Sequence, residues 1–228
     1  MFRGKKYRKL AEAIDKTKEY GVIDALDVLK KADYKFDQTV EIHMNLGVDP
    51  KHSDQMVRGN VVLPNGTGKK VRVLAFCKGE AEAAAKEAGA EFVGAEDMAE
   101  KIQGGWLDFD AVVATPDMMP VIGRIARVLG PRGLMPSPKA GTVTTNVAEV
   151  VKELKAGKIS YRIDKGSNLH APVGKLSFST EQLQENISAF IDSVLKAKPS
   201  GAKGTYIRNM ALSATMTPSL KLDMALSR

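Results

Sequence analysis

The sequence predicts a mixed α/β protein in two parts. A discontinuous α+β domain is built from residues 1–66 and 159–228, and a Rossmann-like, three-layer αβα domain is inserted at residues 67–158. Three observations predict this arrangement. The middle segment alternates strand and helix patterns, and its strands are continuously apolar, as in a parallel sheet covered on both faces. The flanks carry strands that alternate apolar and polar residues, the mark of a sheet with one face open. Charge follows the same division: the middle holds 13 Lys and Arg against 12 Asp and Glu, and the flanks hold 12 against 10 and 9 against 5. Gly-containing breaks at residues 65–68 and 156–158 mark the two crossings, where a hinge is expected.

Taken in order, Arg3, Lys5, Lys6, Arg8 and Lys9 form a basic N-terminal arm without an acid. Tyr7, Leu10, Ala11 and Ile14 then share a helical face, so the arm leads into a docked helix. A second helix carries Val22, Ala25, Leu26 and Leu29 as its buried stripe. Val40, Ile42, Met44 and Leu46 alternate with Glu41, His43 and Asn45, which predicts a half-exposed strand. Residues 57–63 predict a second strand, antiparallel to it. Within the middle segment, strands are expected at 71–77, 91–93 and 111–114, and helices at 80–88, 95–102, 116–129 and 147–154. Thr115, Pro116 and Asp117 supply capping and first-turn residues for the 116–129 helix, and Gly130 and Pro131 end it. Past the second crossing, strands are expected at 159–163 and 171–178. Ser179 and Gln182 make a capping box for a helix with Leu183, Ile187, Phe190, Ile191 and Val194 on its inner face. Residues 206–215 and 220–222 predict a closing hairpin.

Composition narrows the function. A net charge of +7 favours a polyanionic partner. No window is apolar enough to span a bilayer and the N-terminus lacks a signal-peptide core, so a cytoplasmic protein without a membrane partner is expected. The single Cys77 rules out an internal disulfide and a cysteine zinc cluster. Residues 64–70 hint at a phosphate loop, but Leu63 and Lys70 stand where the Walker pattern needs Gly and Ser or Thr. The turn after Cys77 is too poor in glycine for a dinucleotide pyrophosphate. Gly130 and Gly133 have KH-clamp spacing, yet prolines follow where a helix should start. Asp108 and Asp110 precede their strand rather than follow it, so they are expected to be surface acids. Cys77 has no histidine nearby in its domain and is expected to be a buried structural thiol. No catalytic constellation survives; neither an enzyme nor a cofactor is expected. An enzyme acting on a phosphorylated small molecule through the Rossmann-like domain is the alternative, and a nonspecific basic RNA chaperone is a third.

Residues 111–143 are the most informative stretch, a buried strand, an amphipathic helix and a stiff basic loop punctuated by Gly133, Pro136, Pro138 and Gly141. The run GRIARVLGPRGLMPSPKAGTV within it resembles the signature of the bacterial large-subunit ribosomal protein L-one family, which stands in the mobile stalk beside the tRNA exit site. KFDQTVEIHMNLGVDPKHSDQMVRG, DAVVATPDMM, HAPVGK and TMTP agree with it, so the resemblance covers nearly the whole chain. It implies a monomer off the ribosome whose discontinuous domain binds stalk helices of the large-subunit (23S) rRNA. It further implies a hinged inserted domain that helps deacylated exit-site tRNA move or leave, and repression of translation from the protein's own operon mRNA.

The candidate RNA contacts gather at two strand entries. At the first, Lys35 and Phe36 precede a strand that exposes Thr39 and Glu41. Phe36 either packs on a ribose or base or plugs the core, and Thr39 can donate to a 2′-hydroxyl. At the second, Ser213, Thr215 and Thr217 line one side of the closing strand, with Met216 at its tip or in the core. The resemblance assigns Phe36, Thr39, Ser213, Thr215 and Met216 to the RNA surface. Thr217 stands where the family has Gly, which alters that turn or the backbone's approach to RNA. Lys165 and His170 flank a loop suited to phosphate contacts, with His170 mainly structural, and Arg3, Lys5, Lys6 and Arg8 suit the RNA backbone. Arg132 and Lys139 belong to the inserted domain, where the resemblance places tRNA or distal stalk RNA.

Overall fold

The computed structural model of the protein describes residues 4–15, 17–32 and 34–224. The chain divides into unit 1, Met1–Gly68 with Ile159–Arg228, and unit 2, Lys69–Lys158.

Unit 1 opens with helices α1 (Lys5–Glu12) and α2 (Val22–Lys30). Leu10 and Ile14, one helical turn apart, dock the first, and Val22, Ala25, Leu26 and Leu29 bury the second. Lys5, Lys6, Arg8 and Lys9 therefore lie on α1 itself rather than on an arm leading into it. Strand β1 (Thr39–Leu46) alternates as expected, with Val40, Ile42, Met44 and Leu46 buried. Its two neighbours are β7 (Asn168–Lys175) and β8 (Ile207–Ala214), and β9 (Leu220–Lys221) extends the antiparallel sheet beyond β8. Helix α7 (Thr180–Lys196) packs Leu183, Ile187, Phe190, Ile191 and Val194 into the core beneath the sheet. Its capping box is formed: the Gln182 amide donates to Ser179 Oγ at 3.2 Å and the Ser179 amide to Gln182 Oε1 at 3.1 Å.

Strand β2 (Arg58–Val62) departs from expectation. It pairs with β6 (Lys158–Arg162) in a separate two-stranded ribbon, because both edges of β1 are already occupied. A Cβ on Gly59 would stand 2.5 Å from the Tyr161 hydroxyl, so only glycine lets the ribbon close on that ring. β7 starts and ends three residues before the expected 171–178 span, and it accommodates Pro172 because it is a sheet edge. The first crossing is tied down by Asn186, fully buried on α7. Its Nδ2 donates to the carbonyls of Gly66 and Val173 at 2.9 and 2.8 Å, and its Oδ1 accepts from the Asn65 amide at 3.0 Å.

Unit 2 has a parallel three-stranded sheet, β3 (Val73–Phe76) between β4 (Phe92–Gly94) and β5 (Ala111–Ala114). Val73, Ala75 and Val113 pack with α3 (Glu80–Glu87) and α6 (Val147–Ala156). Leu74, Phe76, Val112 and Ala114 pack with α4 (Glu96–Gln103) and α5 (Met119–Leu129). Helices thus cover both faces, which is why these strands are apolar throughout. The helix expected at 116–129 begins as a 3₁₀ turn, Pro116–Met118, and the Thr115 side chain makes no capping bond. Cys77 is buried, and that burial pushes its thiol pKa up, away from nucleophilic character. No helix among the described residues is long and apolar enough to cross a membrane.

Candidate nucleic-acid interface

The face of the unit 1 sheet opposite the core is polar in successive rows. Register places Thr39 opposite Lys175, Glu41 between Pro172 and Ser213, and His43 between His170 and Ala211. Asn45 lies between Asn168 and Asn209 in the last row. Directly opposed residues of antiparallel strands point the same way, so one surface carries hydroxyls, amides, imidazoles and a carboxylate. Lys175 Nζ donates to Thr39 Oγ1 at 2.8 Å, and Asn45 Nδ2 to Asn168 Oδ1 at 2.8 Å. These bonds fix the Thr39 and Asn45 side chains; among the described residues there is no group of three or more His, Cys, Asp or Glu that could hold an ion.

A chain of polar contacts passes through the middle row. His43 Nδ1 lies 2.8 Å from His170 Nδ1, and His43 Nε2 lies 2.9 Å from Ser213 Oγ. His170 Nε2 stands 3.6 Å from Asp164 Oδ2. One assignment satisfies all three contacts: Asp164 favours the N–H on His170 Nε2, His43 Nδ1 donates to His170, and Ser213 donates to His43. Ser213 then turns lone pairs outward. Burial, reinforced by the neighbouring His170 and opposed by Glu41, holds the His43 pKa below its ordinary value. Asp164 is held low, first by the Asn168 amide at 2.7 Å, with the Gly166 amide at 2.8 Å adding to it. That turn leaves Lys165 exposed at its tip.

At one end the face passes from polar to apolar. Phe36 is 47% exposed and Met216 65% exposed, so neither plugs the core. Tyr34 joins them: its hydroxyl donates to the Met216 carbonyl at 3.1 Å, and its ring centroid is 5.9 Å from that of Phe36. Thr39 and Thr215 exchange backbone contacts beside this cluster, the Thr215 amide donating to the Thr39 carbonyl at 3.0 Å and the Thr39 amide to Thr215 Oγ1 at 3.2 Å. The two strand entries are thus stitched together.

The left-handed position of the turn is Met216, with φ of 67°, and Thr217 is not among the residues of positive φ. Thr217 Oγ1 accepts from the Ala214 amide at 2.9 Å and lies 3.0 Å from the Ala214 carbonyl, so the hydroxyl closes the turn. Strand β8 ends at Ala214; Thr215 and Thr217 belong to this turn rather than to one side of a strand, as had been expected.

Lys35, Phe36, Thr39, Glu41, His170, Ser213, Thr215 and Met216 all lie on or beside this face, and Lys5 and Lys6 are on α1. Arg3 lies outside the described residues, as does the Lys139 side chain. Arg132 is exposed in unit 2, in the loop after α5. That loop is stapled back to β5, with the Ala114 amide donating to the Thr142 carbonyl at 2.9 Å and the Thr144 amide to the Ala114 carbonyl at 3.0 Å. Sequence reasoning did not select His43, Asn45, Asn168, Asn209 or Lys175 as site residues. The alternation of β1 singled out the first two positions, but the others need the register. A model of the ribosomal protein L1p/L10e family matches residues 28–218, most of the chain, including both strand entries and the loop after α5.

Proposed function

The chain belongs to the ribosomal protein L1p/L10e family, a family of large-subunit ribosomal proteins, and from that premise we propose that unit 1 binds a structured site on large-subunit rRNA through its open sheet face. The observation that carries this reading is a hydrogen-bonded polar face ending on two exposed apolar side chains, Phe36 and Met216. A-form RNA closes its major groove to side chains and offers 2′-hydroxyls, phosphates and unstacked bases instead. Phe36 and Met216 supply a platform for a base or ribose. Glu41 can only accept from a 2′-hydroxyl, and Ser213, Thr39 and Thr215 supply further hydroxyl contacts. Lys35, Lys165 and the cations of α1 neutralise phosphates around this centre, giving affinity that falls with salt.

The RNA is the mobile stalk of the large subunit. The Arg132 and Lys139 loop of unit 2 meets exit-site tRNA or more distal stalk RNA, and the crossings after Gly68 and Lys158 act as a hinge. A mimic of the rRNA site in the protein's own mRNA would meet the same side chains, which makes translational repression a consequence of the same chemistry. Phe36→Ala or Thr215→Ala should each weaken binding to a stalk-rRNA fragment by about 1–3 kcal/mol, the scale of a stacking contact. Filter binding checks this; unchanged affinity in both variants would remove the site from this face.

A further inference from the structure

A cleft of about 350 Å³ in unit 1 lies outside the sheet face and is lined by Lys6, Lys9 and Lys31 around Leu10, Ala32 and Tyr34. Three lysines thus border a largely apolar floor, and among the described residues of the lining there is no carboxylate. Lys6 Nζ stands 5.4 Å from the centroid of the Tyr34 ring, so a cation already rests on the aromatic wall. The cleft is formed where the last turn of α1 meets the end of α2, and helix C-termini leave backbone carbonyls as hydrogen-bond acceptors.

We propose that this cleft is a second RNA subsite, which receives one unpaired nucleotide of the strand whose neighbours cross Phe36. Each part of a nucleotide finds its counterpart. The phosphate meets the lysines, the base or ribose lies on Leu10, Ala32 and the Tyr34 ring, and exocyclic amino groups can donate to the helix-end carbonyls. The volume is at the lower end of ligand pockets and suits a single nucleotide rather than a helix. Tyr34 makes the two sites continuous, lining the cleft with its ring while its hydroxyl holds the Met216 carbonyl at 3.1 Å. A strand leaving the Phe36 platform would thus pass directly onto the cleft. This inference rests on the RNA reading of the sheet face.

The test uses the full chain and a stalk-rRNA fragment, titrated over a range of salt concentrations. Lys9→Gln with Lys31→Gln removes two phosphate partners and should flatten the slope of log K against log salt by about 1.4, at roughly 0.7 for each single-strand contact. Ala13→Phe, an exposed position on the cleft wall, keeps every charge and fills the space. It should weaken binding about tenfold with the slope unchanged. If both variants bind with the parent's affinity and slope while Phe36→Ala still binds weakly, the cleft is no subsite and the sheet face stands. If Phe36→Ala also binds like the parent, the reading of the face falls, and this inference with it.

Discussion

The larger sheets of the two units use their side chains to opposite ends. In unit 2, every residue of β3 is buried, so that strand is structural and whatever the unit offers a partner comes from its loops and the outer faces of its helices. In unit 1, β1 buries alternate residues and leaves Thr39, Glu41, His43 and Asn45 on a face where cross-strand bonds hold Thr39, His43 and Asn45. A sheet covered by helices on both sides spends its side chains on cohesion; one covered on a single side keeps half of them for recognition. The stiff basic loop of unit 2 and the open face of unit 1 are two consequences of that difference.

The comparison can be broken most forcefully in the core. Phe76→Ala should cost about 3–5 kcal/mol of unit 2 stability, because a fully buried aromatic leaves a cavity. Glu41→Ala on the open face should cost unit 1 no more than about 1 kcal/mol yet weaken RNA binding. Denaturant unfolding and RNA titration of both variants separate the effects. An RNA defect in Phe76→Ala as large as that in Glu41→Ala would mean that unit 2 carries the recognition attributed to unit 1.

Acid response sharpens the contrast. The Lys69 ammonium at 2.7 Å and the Arg72 guanidinium at 3.0 Å hold Asp110 at about 2, against an ordinary 3.8. A lowered carboxyl pKa stabilises the fold above 3.8, and that stability is lost as pH falls through about 2. Asp110→Asn should therefore cost unit 2 about 1 kcal/mol at neutral pH, after solvent screening, and remove that acid loss. His43 works at higher pH and in unit 1. Its folded pKa lies below the ordinary 6.5, so the unfolded chain takes the proton first and unit 1 loses stability as pH falls below 6.5. His43→Gln should flatten that part of the profile. Thermal melts from pH 8 down to about 2 would read both.

The smallest effect is expected at the turn. Met216 holds a left-handed conformation that costs a side-chain-bearing residue about 1–2 kcal/mol. Met216→Gly should raise stability by up to about 1 kcal/mol, since glycine's added unfolded-state freedom offsets part of the relief. It should weaken RNA binding because the apolar tip is gone. A melting curve and a titration on this one variant test both; a stabilised protein with full RNA affinity would show that the Met216 side chain is not part of the platform.

Much of the fold was legible because burial writes itself into periodicity. The alternation of β1, the stripe of α2 and the inner face of α7 all appear at the expected residues, and Ser179 with Gln182 signals a helix start that is local by nature. What was not legible depends on partners distant in the chain. Arg58–Val62 has no clean alternation, so nothing local says that it pairs with Lys158–Arg162 across the insertion. The edge position that tolerates Pro172 is likewise a property of the sheet. At the interface, the residues around Phe36 and Met216 allow a core reading as well as a surface one until their exposure is seen. The chain from Asp164 through His170 and His43 to Ser213 exists only when three strands are in register. Thr217 stood out in the sequence, but the geometry of its turn did not, because the residue of positive φ is the one before it.

The most direct test of the account is a titration of the intact protein with a stalk-rRNA fragment and with a scrambled duplex of equal length, each at two salt concentrations. Recognition by shape, stacking and 2′-hydroxyl contacts predicts a preference for the fragment that persists at the higher salt. Equal binding of both RNAs that collapses as salt rises would contradict it, leaving the open face as no more than part of a basic surface.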